Sequence, residues 1–225
     1  MLSRLSSAKK VPNYYSRKKW LRISAYILAG TVLVFFLLNV IFPLHINIPY
    51  SRIITASDGT VLHAFLSSDD KWRMKTELDE ITPTLKKAII YKEDKYFYYH
   101  PGINPVAIVR ALFNNILTGK KTSGASTITM QVARMLDPKQ RTYFNKVIEI
   151  FRAFQLELYY NKDEILQLYL NLVPYGSNIE GVKSASLIYF QQTPGYMSLA
   201  QTVALSIIPN RPSSLVIGRD NSRIR

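Results

Sequence analysis

The chain has 225 residues, no cysteine and a formal net charge of +14. That length suits one well-buried core, and without cysteine there are neither disulfides nor thiolate metal sites. The basicity fits nucleic acid, an anionic membrane surface or a phosphorylated substrate.

Residues 1–22 carry Arg4, Lys9, Lys10, Arg17, Lys18, Lys19 and Arg22 with no acid among them. Ile23–Leu44 then has no charged residue. As a helix this run would span about 33 Å at 1.5 Å per residue, enough for a hydrocarbon core of roughly 30 Å. A buried core helix is the bland alternative, but the run is apolar on every face and follows a basic tail. No small-x-small cleavage site occurs in Asn39–Ser51, so a retained anchor is expected rather than a cleaved signal. The positive-inside rule puts residues 1–22 in the cytoplasm and the rest outside. The tail accounts for half of the net charge. The remainder lacks the aromatic–basic interleaving of a nucleic-acid surface, so no nucleic-acid partner is expected.

Pro43–Pro49 reads as a linker. Ile53–Ser67 reads as a hairpin around a two-residue Asp58-Gly59 turn. From Thr82 onward the pattern is helical. Thr82 caps and Pro83 starts a helix that delivers Glu93 at its end. Asn104-Pro105 starts another, with Val109, Leu112, Phe113, Ile116 and Leu117 as its apolar stripe and Gly119 as its stop. Lys120–Ser126 is a loop. Helices are expected near Ile128–Leu136 and Phe144–Tyr160. Asn161 with Glu164, and Ser198 with Gln201, form capping boxes for two more, and Pro209 closes the last. No internal repeat is visible, and beyond the hairpin the domain reads as α-helical.

Glu93 and Asp94 end an apolar stretch and are followed at once by Tyr96, Phe97, Tyr98, Tyr99 and His100. Aromatics beside a carboxylate strip water from it and raise its pKa, which makes a general acid or base. Singly, each residue has an ordinary reading: a helix-end carboxylate, a structural histidine, packing aromatics. Gly124–Thr127 reads as a turn opening a helix, where backbone N–H groups bind phosphate or where Ser126 or Thr127 simply caps. Lys146 and Glu149 share a helix face at i,i+3, the spacing of an ordinary surface ion pair. Their setting among Arg134, Lys139 and Arg141 points instead to concentrated negative charge, for which a diphosphate is the natural candidate.

Taken in order, these segments resemble the peptidoglycan glycosyltransferases. Glu93-Asp94-x-x-Phe97-x-x-His100-x-Gly102 matches the family's first motif. Gly124-x-Ser126-Thr127-Ile128 with Gln131 matches the second, with Met130 in place of a glutamine. Lys146-x-x-Glu149 matches the third, with Asn145 where arginine is usual. Ile165–Asn171 with Gly176 and Gly181 resembles the fourth, and Ala204–Pro212 the fifth. The resemblance covers Ser51 to about Ser214. Pro101–Pro105, Thr129–Gln131, Val132–Pro138 and Lys71-Trp72-Arg73 are similar to the type 1C class A penicillin-binding proteins. Those normally carry a transpeptidase domain next, for which this chain leaves no room. Ser68-x-x-Lys71 has the spacing of a penicillin-binding serine motif but lacks its partner motifs, and reads as chance.

The resemblance implies a mainly α fold: a lysozyme-like large lobe and a small membrane-facing lobe, after one transmembrane helix and the hairpin. With the charge and hydropathy pattern, the chain is expected to divide into tail 1–22, anchor 23–44, linker and hairpin 45–75 and glycosyltransferase domain 76–225. The resemblance implies polymerisation of lipid II, the lipid-linked disaccharide-pentapeptide, into β-1,4 glycan with release of undecaprenyl diphosphate. Glu93 is the implied general base and Glu149 a second catalytic carboxylate. Asp94, Phe97, His100, Ser126, Thr127, Gln131, Arg134, Arg141, Lys146, Asn171 and Arg211 are the implied substrate contacts. Glu149 is also the residue expected to hold a divalent metal, Mg or Mn, with no organic cofactor. Implied partners are lipid II, the nascent glycan, the membrane and other cell-wall synthesis proteins. The implied site of action is the outer face of a bacterial cytoplasmic membrane. A lytic lysozyme-like enzyme and a non-catalytic membrane scaffold are the alternatives.

Overall fold

The structure is a computed structural model and describes residues 14–118 and 125–210. It is mainly helical and divides into two compact units, Met1–His45 and Ile46–Arg225.

The first unit is the helix α1, Tyr14–Ile41. Its 24 residues Lys18–Ile41 are long and apolar enough to cross a membrane. The helix stops ahead of Pro43, whose ring and missing N–H cannot continue it, so it ends short of the expected Leu44.

The second unit opens with the expected hairpin, β1 (Ile53–Thr55) against β2 (Val61–Ala64), antiparallel. The turn is longer than the two residues expected. Ala56 N–H reaches Thr60 O at 2.8 Å, and Gly59 N–H reaches Ala56 O at 3.0 Å. Asp58 Oδ1 accepts from Thr60 N–H at 2.9 Å. Gly59 takes the left-handed conformation that closes the tip. A register shift between Ile54 and Thr55 accommodates the extra length.

Six helices follow: α2 (Pro83–Asp94), α3 (Pro105–Thr118), α4 (Ile128–Leu136), α5 (Tyr143–Tyr159), α6 (Lys162–Leu172) and, after a short β-ribbon, α7 (Val182–Phe190). A further helix, α8 (Leu199–Ile207), runs into a 3₁₀ turn at Ile208–Asn210. Both expected capping boxes are present, at Asn161 and at Ser198. The core gathers on α6, where Ile165, Leu166, Tyr169 and Leu170 are fully buried. Burying each such side chain is worth ~1.5–3 kcal/mol. α4 packs on α5 and α6, and α2 packs on α8.

The ribbon was not expected. β3 (Pro174–Gly176) pairs antiparallel with β4 (Ile179–Glu180) around Ser177-Asn178, and Trp72 bridges to Ile179. It anchors Arg73, which is only 5% exposed. Arg73 binds Glu180 at 2.6 Å and Asp69 at 2.9 Å, and donates to Pro49 O at 2.6 Å. One guanidinium thus ties Pro49 and Asp69 to β4 within the second unit.

Candidate active site

Two chain turns place the first motif. Asp94, the last residue of α2, accepts from the backbone N–H of Ile128 at 3.1 Å, at the start of α4. His100 Nε2 lies 2.9 Å from the same carboxylate. Thr127 caps α4 by accepting from Met130 N–H at 3.1 Å and donates to Gly102 O at 2.5 Å. Gly102 has φ +82°, and a Cβ there would meet Glu157 Cγ at 2.9 Å, so the turn requires glycine. These bonds lock the end of α2 against the start of α4.

Glu93 is thereby set against α4. Its Oε2 accepts from Gln131 Nε2 at 3.1 Å. Its Oε1 is buried and has no hydrogen-bond partner among the described residues. The hydroxyls of Tyr169, on α6, and Tyr175, on β3, are likewise buried and unpartnered. Burial first, and the Glu93 charge second, push both phenols well above their ordinary pKa, so both keep their protons. Arg134 opposes this effect at Tyr169. The carboxylate and the guanidinium therefore act on the same phenol.

A cavity of about 360 Å³ opens between α4 and α5. Its cations are Arg134, Lys139, Arg141, Lys146 and Arg152, against the acids Asp137 and Glu149. Lys146 Nζ sits 2.9 Å from Ser126 Oγ and 2.7 Å from Glu149 Oε1. Lys139 pairs with Asp137 at 2.7 Å. Gln131 and Arg134 are one turn apart on α4, so Glu93 and the cavity share one side of that helix. Such a site offers a carboxylate with one buried, unpartnered oxygen on the helix side that also carries a cavity-lining cation, Arg134. That combination suits proton removal next to an anionic leaving group.

The structure gathers Glu93 with Gln131, and Ser126, Arg134, Arg141, Lys146 and Glu149 around the cavity. Other expected contacts have internal duties. Phe97 is fully buried, and Asp94 and His100 are spent on each other and on α4. Thr127 is a cap. Asn171 is buried, with its amide accepting from Thr76 N–H at 2.8 Å and donating to Thr76 O at 2.9 Å. These side chains help hold the frame. Gly124 and Arg211 lie outside the described residues. Glu149 gains no set of donors for a resident metal: its Oε1 is engaged by Lys146, and no trio of ligating His, Asp or Glu side chains exists among the described residues.

Sequence reading missed Arg152, Tyr169 and Tyr175 as site residues. Arg152 follows Glu149 at i,i+3 on one helix, a spacing that could have flagged it. Tyr169 lies within the fourth-motif stretch but was given no role there, and Tyr175 carried no signal; their unpartnered hydroxyls single them out.

Residues 58–225 match the transglycosylase family. Penicillin-binding protein 1C of Escherichia coli is 40% identical over 173 residues, 77% of this chain and 22% of that protein. Penicillin-binding protein 1A of Escherichia coli is 38% identical over 163 residues, 72% of this chain and 19% of its own length. Penicillin-binding protein 1F of Bacillus subtilis is 35% identical over 143 residues, 63% of this chain and 20% of its own length. The chain belongs to the transglycosylase family, and it spans about a fifth of the length of these relatives.

Proposed function

We propose that this chain is a membrane-anchored peptidoglycan glycosyltransferase that polymerises lipid II. The observation that carries the reading is Glu93: one oxygen is held by Gln131, the other is buried without a protein partner among the described residues, and Arg134, one turn along α4 from Gln131, lines a cationic cavity. The acceptor is the lipid-linked disaccharide, and the donor is the growing glycan on undecaprenyl diphosphate. Glu93 takes the proton of the acceptor's 4-hydroxyl as that oxygen attacks the donor's anomeric carbon. The bond from that carbon to the diphosphate oxygen breaks, and its electron pair leaves with the diphosphate. The α linkage becomes β-1,4.

Negative charge grows on the leaving diphosphate, and fixed cations placed there lower the barrier. Lys146, Arg134 and Arg141 fill this role, with Glu149 orienting Lys146. Gln131 orients Glu93, and Ser126 holds Lys146. A divalent ion that takes part would come with the diphosphate, and no step here depends on one.

α1 supplies the anchor, with the basic tail inside and the domain outside a bacterial cytoplasmic membrane. α3 supports work at a bilayer, since Val106, Val109, Phe113 and Leu117 are all exposed on it. The test is labelled lipid II with the purified chain in detergent or vesicles. Polymer from the parent and none from Glu93→Gln supports the reading. Polymer from both removes Glu93 as the base.

A further inference from the structure

The cavity has a cation that neither the family motifs nor the spacing argument assigned. Arg152 lines it from the middle of α5, on the same helical face as Asn145, two turns earlier. Asn145 is the position where the motif pattern usually has arginine. Here its side chain is neutral, and its amide donates to Gln140 O at 2.8 Å, tying α5 to the loop before it. Arg152 is braced differently. One N–H donates at 2.7 Å to Oε1 of Gln155, which is completely buried. A buried amide that holds a guanidinium at a cavity wall orients it in advance. A planar guanidinium is the side chain best matched to phosphate oxygens.

We infer that Arg152 supplies a diphosphate-binding guanidinium to this cavity, oriented by Gln155. The inference rests on the glycosyltransferase reading for the identity of the anion, not for its charge class. In this role Arg152 binds phosphate oxygens of the donor lipid, and more strongly as charge builds on the departing diphosphate. Asn145 secures the start of α5 through Gln140.

The experiment uses the full chain in detergent micelles and two readouts: polymerisation of lipid II, and displacement of a fluorescent prenyl diphosphate by inorganic diphosphate. Arg152→Met keeps most of the side-chain volume and removes the charge. It is expected to lower turnover on the order of 10²-fold. It should weaken inorganic diphosphate on the order of tenfold. Turnover and displacement matching the parent would overturn the inference. If Arg152→Met melts early, Arg152→Lys decides. Retained charge must bind diphosphate better than Met does, and an equal loss makes Arg152 structural. Phosphatidylglycerol displacing the probe as well as diphosphate does would also overturn it, since the site would then be a general headgroup patch. A parent that does not polymerise but whose diphosphate binding falls with Arg152→Met would sink the functional reading and leave Arg152 standing.

Discussion

At the scale of single residues, Lys146 separates the catalytic reading from an ordinary one. It touches Ser126 and Glu149 at once, and its side chain is 40% exposed. Removing an exposed surface cation usually changes stability by less than about 0.5 kcal/mol. Removing a stabiliser of transition-state charge costs on the order of 10²-fold in rate, about 2.7 kcal/mol. Lys146→Ala should therefore melt like the parent and turn over at about a hundredth of its rate. Parent-like turnover would leave Lys146 as a surface ion pair. Tyr169 gives a second test. Its hydroxyl is buried beside the Glu93 charge without a partner. Tyr169→Phe should leave folding intact, because an unsatisfied buried group is lost and not created. A fall in melting temperature would mean that the hydroxyl has a partner in solution.

At the scale of elements, the Arg73 cluster joins Asp69, the Pro49 carbonyl and β4. Taking Arg73 away leaves Glu180 facing a site built for a cation, and breaking a buried pair this way costs about 3 kcal/mol. Arg73→Ala should lower the unfolding temperature markedly. Burial pushes the Asp69 carboxyl up, but its bonds from Arg73 and Ser67 outweigh that, and its pKa is lowered. A lowered native pKa gives stability that is full above the unfolded value near 4 and is lost as pH falls through the native value. Asp69→Asn should be less stable than the parent at neutral pH, and the gap should close in acid; a gap that persists there would mean Asp69 acts through shape. The helices themselves were legible in sequence because their signals are local: Asn161 with Glu164, Ser198 with Gln201, Thr82 with Pro83. The β3–β4 ribbon was not. Its strands are too short for any alternation, and it forms because Trp72 and Arg73 meet it from about a hundred residues away in sequence. The hairpin turn was misjudged for a related reason. Asp58-Gly59 marks where the chain reverses, but the bulge at Thr55 sets how many residues the reversal takes.

At the scale of the whole molecule, a helix long and apolar enough to cross a membrane precedes a domain whose α3 has an open apolar face. That face was read from sequence as a stripe, and sequence alone did not say that it points outward. Its residues Leu112 and Ile116 aside, Val109, Phe113 and Leu117 are each more than half exposed. Phe113→Glu with Leu117→Glu should weaken binding of the domain to vesicles without lowering its melting temperature. Unchanged vesicle binding would leave the membrane contact to α1 alone. Protease treatment of intact cells carrying a tag at each end tests the anchor itself. A protected N-terminus with a digested C-terminus is expected, and a soluble form beginning beyond Leu44 would show cleavage instead. The site was legible in part for a clear reason. Glu93, Lys146 and Glu149 stand in motifs whose spacing is local, whereas Arg152 lies outside the motifs and only its i,i+3 spacing from Glu149 hints at the cavity it lines. Asp94, His100 and Asn171 looked like ligand contacts because polar side chains in motifs look alike in one dimension. Their hydrogen bonds place them in the frame. The measurement that bears most directly on all of this is product analysis after incubating the full chain with labelled lipid II and, separately, with finished glycan. The account predicts β-1,4 polymer and undecaprenyl diphosphate from the parent, at least ~10²-fold less from Glu93→Gln, and no cleavage of added glycan. Cleaved glycan would make the chain a lytic enzyme, and neither product from a folded, membrane-bound parent would make it a scaffold. Either result would contradict the account.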